Sequence, residues 1–325
     1  MELALRKNNY SPIPSAEEIK NFLIKENHFK VNETILNDFI RSLDASKETK
    51  ETYLKGARKF IKWCESEGIN EVLKEDLIRY KTYLKTNGYE ASSISMYITA
   101  LKKLYKYLES LGIKNLASDL KGAKGSRNFK KDPLTIEQTK QLLKSIDRST
   151  EEGLRNYALT YLLVATALRT IEIERANIED IRTLGTTNVL YVQGKGKDAK
   201  DEYVVLTPSV MSAIQDYLSR RKNTKPSDPL FISYSDRSNG QRLKTRSIRD
   251  IIKKELKGIG IISDKITTHS LRHTGITLSL LGGATLQEAQ QLARHSNINT
   301  TLIYAHNIDR INNNAESKIE SLLVE

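Results

Sequence analysis

Residues 268–277 read THSLRHTGIT and bring His269, Arg272 and His273 together in a chain that has only five histidines. Metal ligands, catalytic groups and ordinary helix surface are the readings to separate. His269 and His273 have the i, i+4 spacing of a metal-binding helix, but Ser270 stands where a zinc-protease helix carries its general-base glutamate. No third ligand is evident, and Cys64 is the single cysteine. The stretch reads as a metal-free site, and the surrounding chain has to say of what kind.

The chain has 325 residues, 38% of them hydrophobic and 28% charged, which allows two domains with separate cores. No apolar run approaches the roughly 18 residues that span a bilayer. The opening MELALRKNNYSPIPS lacks the apolar core and cleavage site of a signal peptide. One cysteine rules out an internal disulfide, so the expected compartment is the cytoplasm. A net charge of +12, from 52 basic against 40 acidic residues, favours a polyanionic partner.

The placement of that charge says more than its size. Residues 100–131 hold Lys102, Lys103, Lys106, Lys114, Lys121, Lys124, Arg127, Lys130 and Lys131 against only Glu109 and Asp119. The stretch is the obvious phosphate contact, although a solubilising surface is the plain alternative for any lysine run. A membrane surface fits less well, because no segment joins a basic face to a broad Trp/Phe/Leu face.

Residues 1–30 form an N-terminal extension, and residues 33–112 are helical by apolar period. NETILNDFIRSL (32–43) puts Ile35, Leu36, Phe39, Ile40 and Leu43 on one stripe. A second helix runs through Tyr53, Leu54, Ala57, Phe60, Ile61 and Cys64 towards Gly68, and a third covers 74–86. A fourth, with Ser92 or Ser93 as its expected cap, carries Ile94 to Leu108. Their lysines lie opposite the apolar stripe, so this bundle can bury a core and show cations to a groove. KGAKGSRNFKK follows, with two glycines, five basic residues and no acid, making 121–132 a basic linker.

From Pro133 the pattern restarts with PLTIEQTKQLLKSI, where Thr135 is a plausible N-cap. An apolar helix then leads into Arg169. Two β-rich runs, 188–193 and 202–206, flank a Gly/Lys/Asp turn and predict a hairpin with Lys195 at its rim. The GKGK of that turn lacks the spacing and the Ser/Thr of a nucleotide-binding loop. Helices are expected at about 208–221, 245–257, 269–281, 285–293 and 298–305, with an amphipathic tail helix at 310–323. The fold class is therefore mainly α, with two domains: a helical bundle and an α-rich second domain with a small sheet.

Four ordered stretches now carry a resemblance. They are TALRTIEIERANIEDI (166–181), VQGKGKDAKDEYVVLTP (192–208), HSLRHTGIT (269–277) and ARHSNINTTLIYAH (293–306). Together they resemble the catalytic domain of tyrosine recombinases, the phage-type integrase and Xer-like family. The resemblance implies a core-binding domain at 31–120, a catalytic domain at 133–309 and a tail at 310–325 of the kind that in this family commonly docks on a neighbouring protomer, the alternative being packing on its own domain. It implies Arg169 and Arg272 as catalytic arginines, Glu172 as a supporting carboxylate, Lys195 as the hairpin lysine, His269 and His295 as the histidines, and Tyr304 as nucleophile; His269 and Arg272, three apart on a helix, then face one site, with His273 packing or bonding behind them. It further implies double-stranded DNA with specific sites as partner, a homo-oligomer, a tetramer in synapsis, work at the nucleoid, and no cofactor. This chain has Ala167 and Arg294 where the family commonly has glycine, and a side chain at 294 could either alter the backbone beside the site or add a phosphate contact.

The chemistry needs such a set. A tyrosine hydroxyl can attack phosphorus and later leave as a phenolate, conserving the bond energy of the cut strand. Two guanidiniums offer always-charged planar forks to the negative charge that gathers on the non-bridging oxygens. The departing 5′-oxygen needs a proton, which Lys195 can give, and the phenol must lose one, for which His269 is the expected acceptor. A type IB topoisomerase would use similar chemistry without pairing sites. A non-catalytic DNA-binding protein would fit the charge alone.

Overall fold

The computed structural model describes residues 33–124, 132–194, 196–312 and 315–323. The extension at 1–30, together with Arg127, Lys130, Lys131 and Lys195, lies outside the described residues. The chain divides into two compact units, Met1–Arg127 and Asn128–Glu325. Its class is mainly α with one small sheet, as the apolar periods indicate.

The first unit has helices α1 (Glu33–Ser42), α2 (Lys47–Ser66), α3 (Lys74–Thr86) and α4 (Ala91–Ser110). Ser46 caps α2 by accepting the Thr49 N–H, which satisfies one orphan donor of the first turn. The apolar stripes meet in one core, where Phe60 packs edge-on to Tyr80 with ring centres 5.0 Å apart. α2 approaches α4 closely at Gly56, because a Cβ there would stand 2.6 Å from the Ala100 Cβ. α4 starts at Ala91, earlier than the serine caps suggested: Ile94 N–H already bonds the Glu90 carbonyl, which puts Ser92 and Ser93 inside the first turn. Lys102, Lys103 and Lys106 are exposed on α4, and Lys121 and Lys124 are exposed beyond it.

The second unit opens with α5 (Ile136–Ser145), where Thr135 and Gln138 form a reciprocal capping box. Next comes α6 (Glu151–Thr166), buried almost all round, which makes it the central helix against which the others pack. α7 (Thr170–Arg175) is followed by β1 (Ile181–Leu184), β2 (Thr187–Val192) and β3 (Glu202–Val205), an antiparallel sheet in that order. Val189 pairs with Val205 and Leu190 with Val204. The sequence reading missed β1: it is a short edge strand with three exposed residues, so it shows no apolar alternation.

Helices α8 (Pro208–Arg220), α9 (Thr245–Gly258), α10 (Thr268–Leu281), α11 (Leu286–Ala293), α12 (Asn299–Asn312) and α13 (Ala315–Leu323) complete the unit. α6 packs against α8 and α10. At Gly275 the α10 backbone touches α6 so closely that any Cβ would collide with the Val164 carbonyl. α12 runs through Asn312, past the break expected near 305. Asparagine disfavours helix by only a few tenths of a kcal/mol per residue, and a nucleated helix extends through it. Among the described residues, no helix is long and apolar enough to cross a membrane.

Candidate active site

The ends of α6 and α11 and the start of α7 meet against α10 in the second unit. α6 ends at Ala167 in the left-handed region (φ 49°), and α11 ends at Arg294 in the same region (φ 52°). These are the two positions where glycine was expected from the resemblance, and the backbone makes the glycine-type turn at both. Each turn leaves a helix-end carbonyl pointing inward. Arg272, buried on α10, bridges them, donating Nη1 to the Ala167 carbonyl and Nη2 to the Ala293 carbonyl. One guanidinium thus satisfies both helix ends and fixes their separation.

The left-handed turn at Ala167 throws Arg169 to the start of α7. Glu172, fully buried one turn on, accepts three donors: Arg169 N at 2.8 Å, Arg169 Nη1 at 2.9 Å and Arg294 Nη2 at 2.8 Å. Arg169 keeps a third of its side chain exposed, so it is held from behind while its outer face stays open. Arg294 points inward onto the carboxylate and lies 3.9 Å from Glu202 of β3. Around the Lys195 turn, Arg175 Nη1 donates to the Gly194 carbonyl at 3.0 Å and Gln193 Nε2 to the Lys197 carbonyl at 2.7 Å.

Tyr304 on α12 is buried among Ala167, Ile276 and Ala293. Its hydroxyl lies 2.5 Å from His273 Nδ1, and the His273 and Tyr304 rings are tilted with centres 5.4 Å apart. His269 is solvent-exposed and meets His273 edge-on, 4.6 Å between centres. His295 stacks on Tyr304 at 6.3 Å and shares a 2.9 Å hydrogen bond between its Nδ1 and Thr301 Oγ1.

Burial and positive charge shape the protonation states. Desolvation, then Arg169 and Arg294, pull the Arg272 guanidinium down to about 10, still charged at neutral pH. Desolvation, with His269, Arg272 and His295 beside it, lowers His273 to about 4. His295 falls to about 4 through desolvation and the three arginines. His269 is lowered by desolvation and by Arg272 and Arg169. Desolvation raises the Tyr304 phenol to about 12, against a smaller opposing pull from Arg272. The result is a cluster of neutral imidazoles and a neutral phenol beside fixed cations, ready for an anion.

Residues 133–310 match the phage integrase family, and residues 35–114 match the N-terminal SAM-like domain of phage integrases. The chain belongs to the phage integrase family. Tyrosine recombinase XerA of Pyrococcus furiosus is 30% identical, over 83% of this chain and 88% of its own. Tyrosine recombinase XerD of Listeria monocytogenes serotype 4b is 28% identical, over 84% of this chain and 93% of its own. In fold, this tyrosine recombinase is similar to a XerH site-specific recombinase bound to palindromic difH substrate (TM-score 0.70, 21% identity, 87% and 84% of the two chains). It is also similar in fold to the Tn1549 transposon integrase in complex with circular intermediate DNA (TM-score 0.63, 21% identity, 83% and 93%).

For this family member the structure brings Arg169, Glu172, His269, Arg272, His295 and Tyr304 into one cluster. Two contacts were not legible beforehand. The sequence reading placed His273 behind the site, whereas it touches the Tyr304 hydroxyl directly. It left open what a side chain at 294 would do, and that side chain turns onto Glu172. The only sequence signals were the i, i+4 spacing to His269 and a missing helix-end glycine. In the first unit, Lys55, Lys59 and Lys62 of α2 line a cleft of about 780 Å³ with Trp63, Tyr89 and Tyr97, a basic surface outside the 100–131 stretch.

Proposed function

We propose that this tyrosine recombinase cuts and rejoins double-stranded DNA at specific sites through a 3′-phosphotyrosine at Tyr304. The observation that carries the proposal is the cluster itself. Arg169, the His269–Arg272 pair of α10 and His295 come from three separate segments and gather around a single tyrosine whose hydroxyl is already hydrogen-bonded to an imidazole.

In this scheme the scissile phosphate enters against the open face of Arg169 and against Arg272, whose fixed charges stabilise the pentavalent transition state by about 3 kcal/mol per contact. Glu172 orients Arg169 so that its fork faces outward. Tyr304 Oη attacks phosphorus, the 3′-phosphotyrosine bond forms, the P–O5′ bond breaks, and Lys195 protonates the departing 5′-oxygen. The reverse attack by a 5′-hydroxyl from a second duplex exchanges strands.

Lys102, Lys103, Lys106, Lys121 and Lys124, with Arg127, Lys130 and Lys131, neutralise DNA phosphates. Lys55, Lys59 and Lys62 of the α2 cleft are further phosphate contacts in this reading. The exposed Ile319, Leu322 and Leu323 of α13 support docking of the tail on a neighbouring protomer, and so an oligomer on paired sites. The biological task is integration or excision of a mobile element, or Xer-like resolution.

Tyr304→Phe tests the reading. The variant is expected to bind DNA with unchanged affinity yet form no covalent adduct on sodium dodecyl sulfate gels, since only the nucleophilic oxygen is removed. An adduct persisting in the variant places the nucleophile elsewhere.

A further inference from the structure

The nucleophile's proton has an unassigned destination. His269 is the expected acceptor from the sequence, but it is exposed, and it meets His273 edge-on. His273 is the group whose Nδ1 sits 2.5 Å from Tyr304 Oη. We propose that His273 is the general base of strand cleavage, taking the Tyr304 proton on Nδ1 as the Oη–phosphorus bond forms. This rests on the reading of Tyr304 as the nucleophile.

The geometry favours this role in three ways. The distance is that of a hydrogen bond along which a proton moves without rearrangement. His273 follows Arg272 directly on α10, and Arg272 is clamped at two carbonyls, so the base and the phosphate-binding cation ride on one immobilised segment. Lastly, the His269 ring continues from His273 towards solvent, which gives the proton an exit once cleavage is complete.

Balance is kept throughout. The Oη–H bond breaks and its proton goes to the Nδ1 lone pair, Oη–P forms, and P–O5′ breaks with its electron pair on O5′, which takes a proton from Lys195. In the rejoining step a His273 imidazolium, recharged from solvent by the same route through His269, gives a proton to the leaving phenolate, and Lys195 takes back the proton of the attacking 5′-hydroxyl.

The same surroundings set the balance between imidazole and phenol. His273 faces His269 and Arg272 on its own helix and His295 and Tyr304 from the α11–α12 segment; on the α6 side, Val164 and Ala167 pack against α10 at Gly275. Burial, with Arg272 and the neighbouring imidazoles beside it, holds His273 near 4 while burial keeps the phenol near 12, so the proton remains on oxygen. A bound phosphate brings negative charge against Arg169 and Arg272, which relieves the pressure on His273 and strengthens it as a base only when substrate is in place.

The test measures single-turnover adduct formation against pH. Its substrate is a nicked duplex carrying a 5′-bridging phosphorothiolate at the position the wild-type chain attacks, located first by mapping its adducts on genomic DNA. The thiolate leaving group needs no proton, so the readout isolates deprotonation of the phenol. His273→Gln keeps a hydrogen bond to the phenol but accepts no proton. It is expected to be about 100-fold slower at neutral pH, with the deficit shrinking as pH rises and hydroxide replaces the base. His269→Gln is expected to show a deficit that stays constant with pH.

His273→Ala, which leaves an imidazole-sized space, is expected to regain activity with added imidazole in proportion to its unprotonated fraction. A His273→Gln deficit that is absent or independent of pH overturns the proposal, as does a pH-dependent deficit in His269→Gln alone or failure of imidazole to act on His273→Ala. A wild-type chain that forms no adduct at any pH marks failure of the phosphotyrosine reading at Tyr304 instead.

Discussion

Replacing Arg294 separates two opposing energies at one position. The residue sits in the left-handed region at φ 52°, a conformation that costs a side-chain-bearing residue about 1 kcal/mol relative to glycine. Against this, its Nη2 donates at 2.8 Å to the buried Glu172 carboxylate and its Nη1 at 2.9 Å to the Leu292 carbonyl. A charge-assisted bond of this kind is worth roughly 1.5–3 kcal/mol. Burying Arg294, whose Nε has no hydrogen-bond partner among the described residues, lowers the net to about 2 kcal/mol.

Arg294→Ala loses the bonds and keeps the strain, so it should destabilise the second unit by about 2 kcal/mol. Arg294→Gly loses both and should cost about 1 kcal/mol, the difference being the strain itself. In thermal melts this corresponds to about 2–4 °C per kcal/mol for a unit of this size. Far-UV ellipticity of the full chain follows the transition, while the fluorescence of Trp63, the single tryptophan and a residue of the first unit, serves as reference. A glycine variant as stable as wild type refutes the claim that the Glu172 bond outweighs the strain. Equal stabilities for the alanine and glycine variants refute the strain.

Three further outcomes are expected. His273 and His295 are held near 4 in the folded chain but titrate near 6.5 when unfolded, so the unfolded state binds more protons between these values. The stability they permit is complete above about pH 6.5 and is lost as pH falls towards 4, on the order of 3 kcal/mol for the buried His273; a urea midpoint of the second unit that is flat from pH 7 to 4.5 contradicts this. Neutralising Lys121, Lys124, Arg127, Lys130 and Lys131 should reduce the slope of log affinity against log salt by about 0.9 per lost phosphate contact, and an unchanged slope makes the segment a tether only. Truncation after Asn313 should leave half-site binding intact in gel-shift titrations and abolish cooperative occupancy, because it removes the exposed Ile319, Leu322 and Leu323; preserved cooperativity argues against docking between protomers.

The sequence by itself determined what local rules govern. Apolar period set most helices, because each must bury one stripe, and Thr135 with Gln138 announced a helix start that the backbone makes. The chemistry of the candidate site was also legible: arginines, histidines and a tyrosine in a fixed order have few other uses together, and Arg169, Glu172, His269, Arg272, His295 and Tyr304 do meet.

Tertiary structure alone decided the contacts between segments distant in the chain. Arg272 satisfies the carbonyls of Ala167 and Ala293, which lie on either side of it by many turns of sequence. Arg294 joins a carboxylate 122 positions away, and His273, rather than the exposed His269, reaches the Tyr304 hydroxyl. Periodicity reports which face of a helix is buried, but not which atom on a neighbouring helix lies within hydrogen-bond reach. That depends on the approach of α6 to α10 at Gly275 and on two left-handed turns made by Ala167 and Arg294, where side-chain propensity argues for a different backbone and the packing of the helix ends prevails.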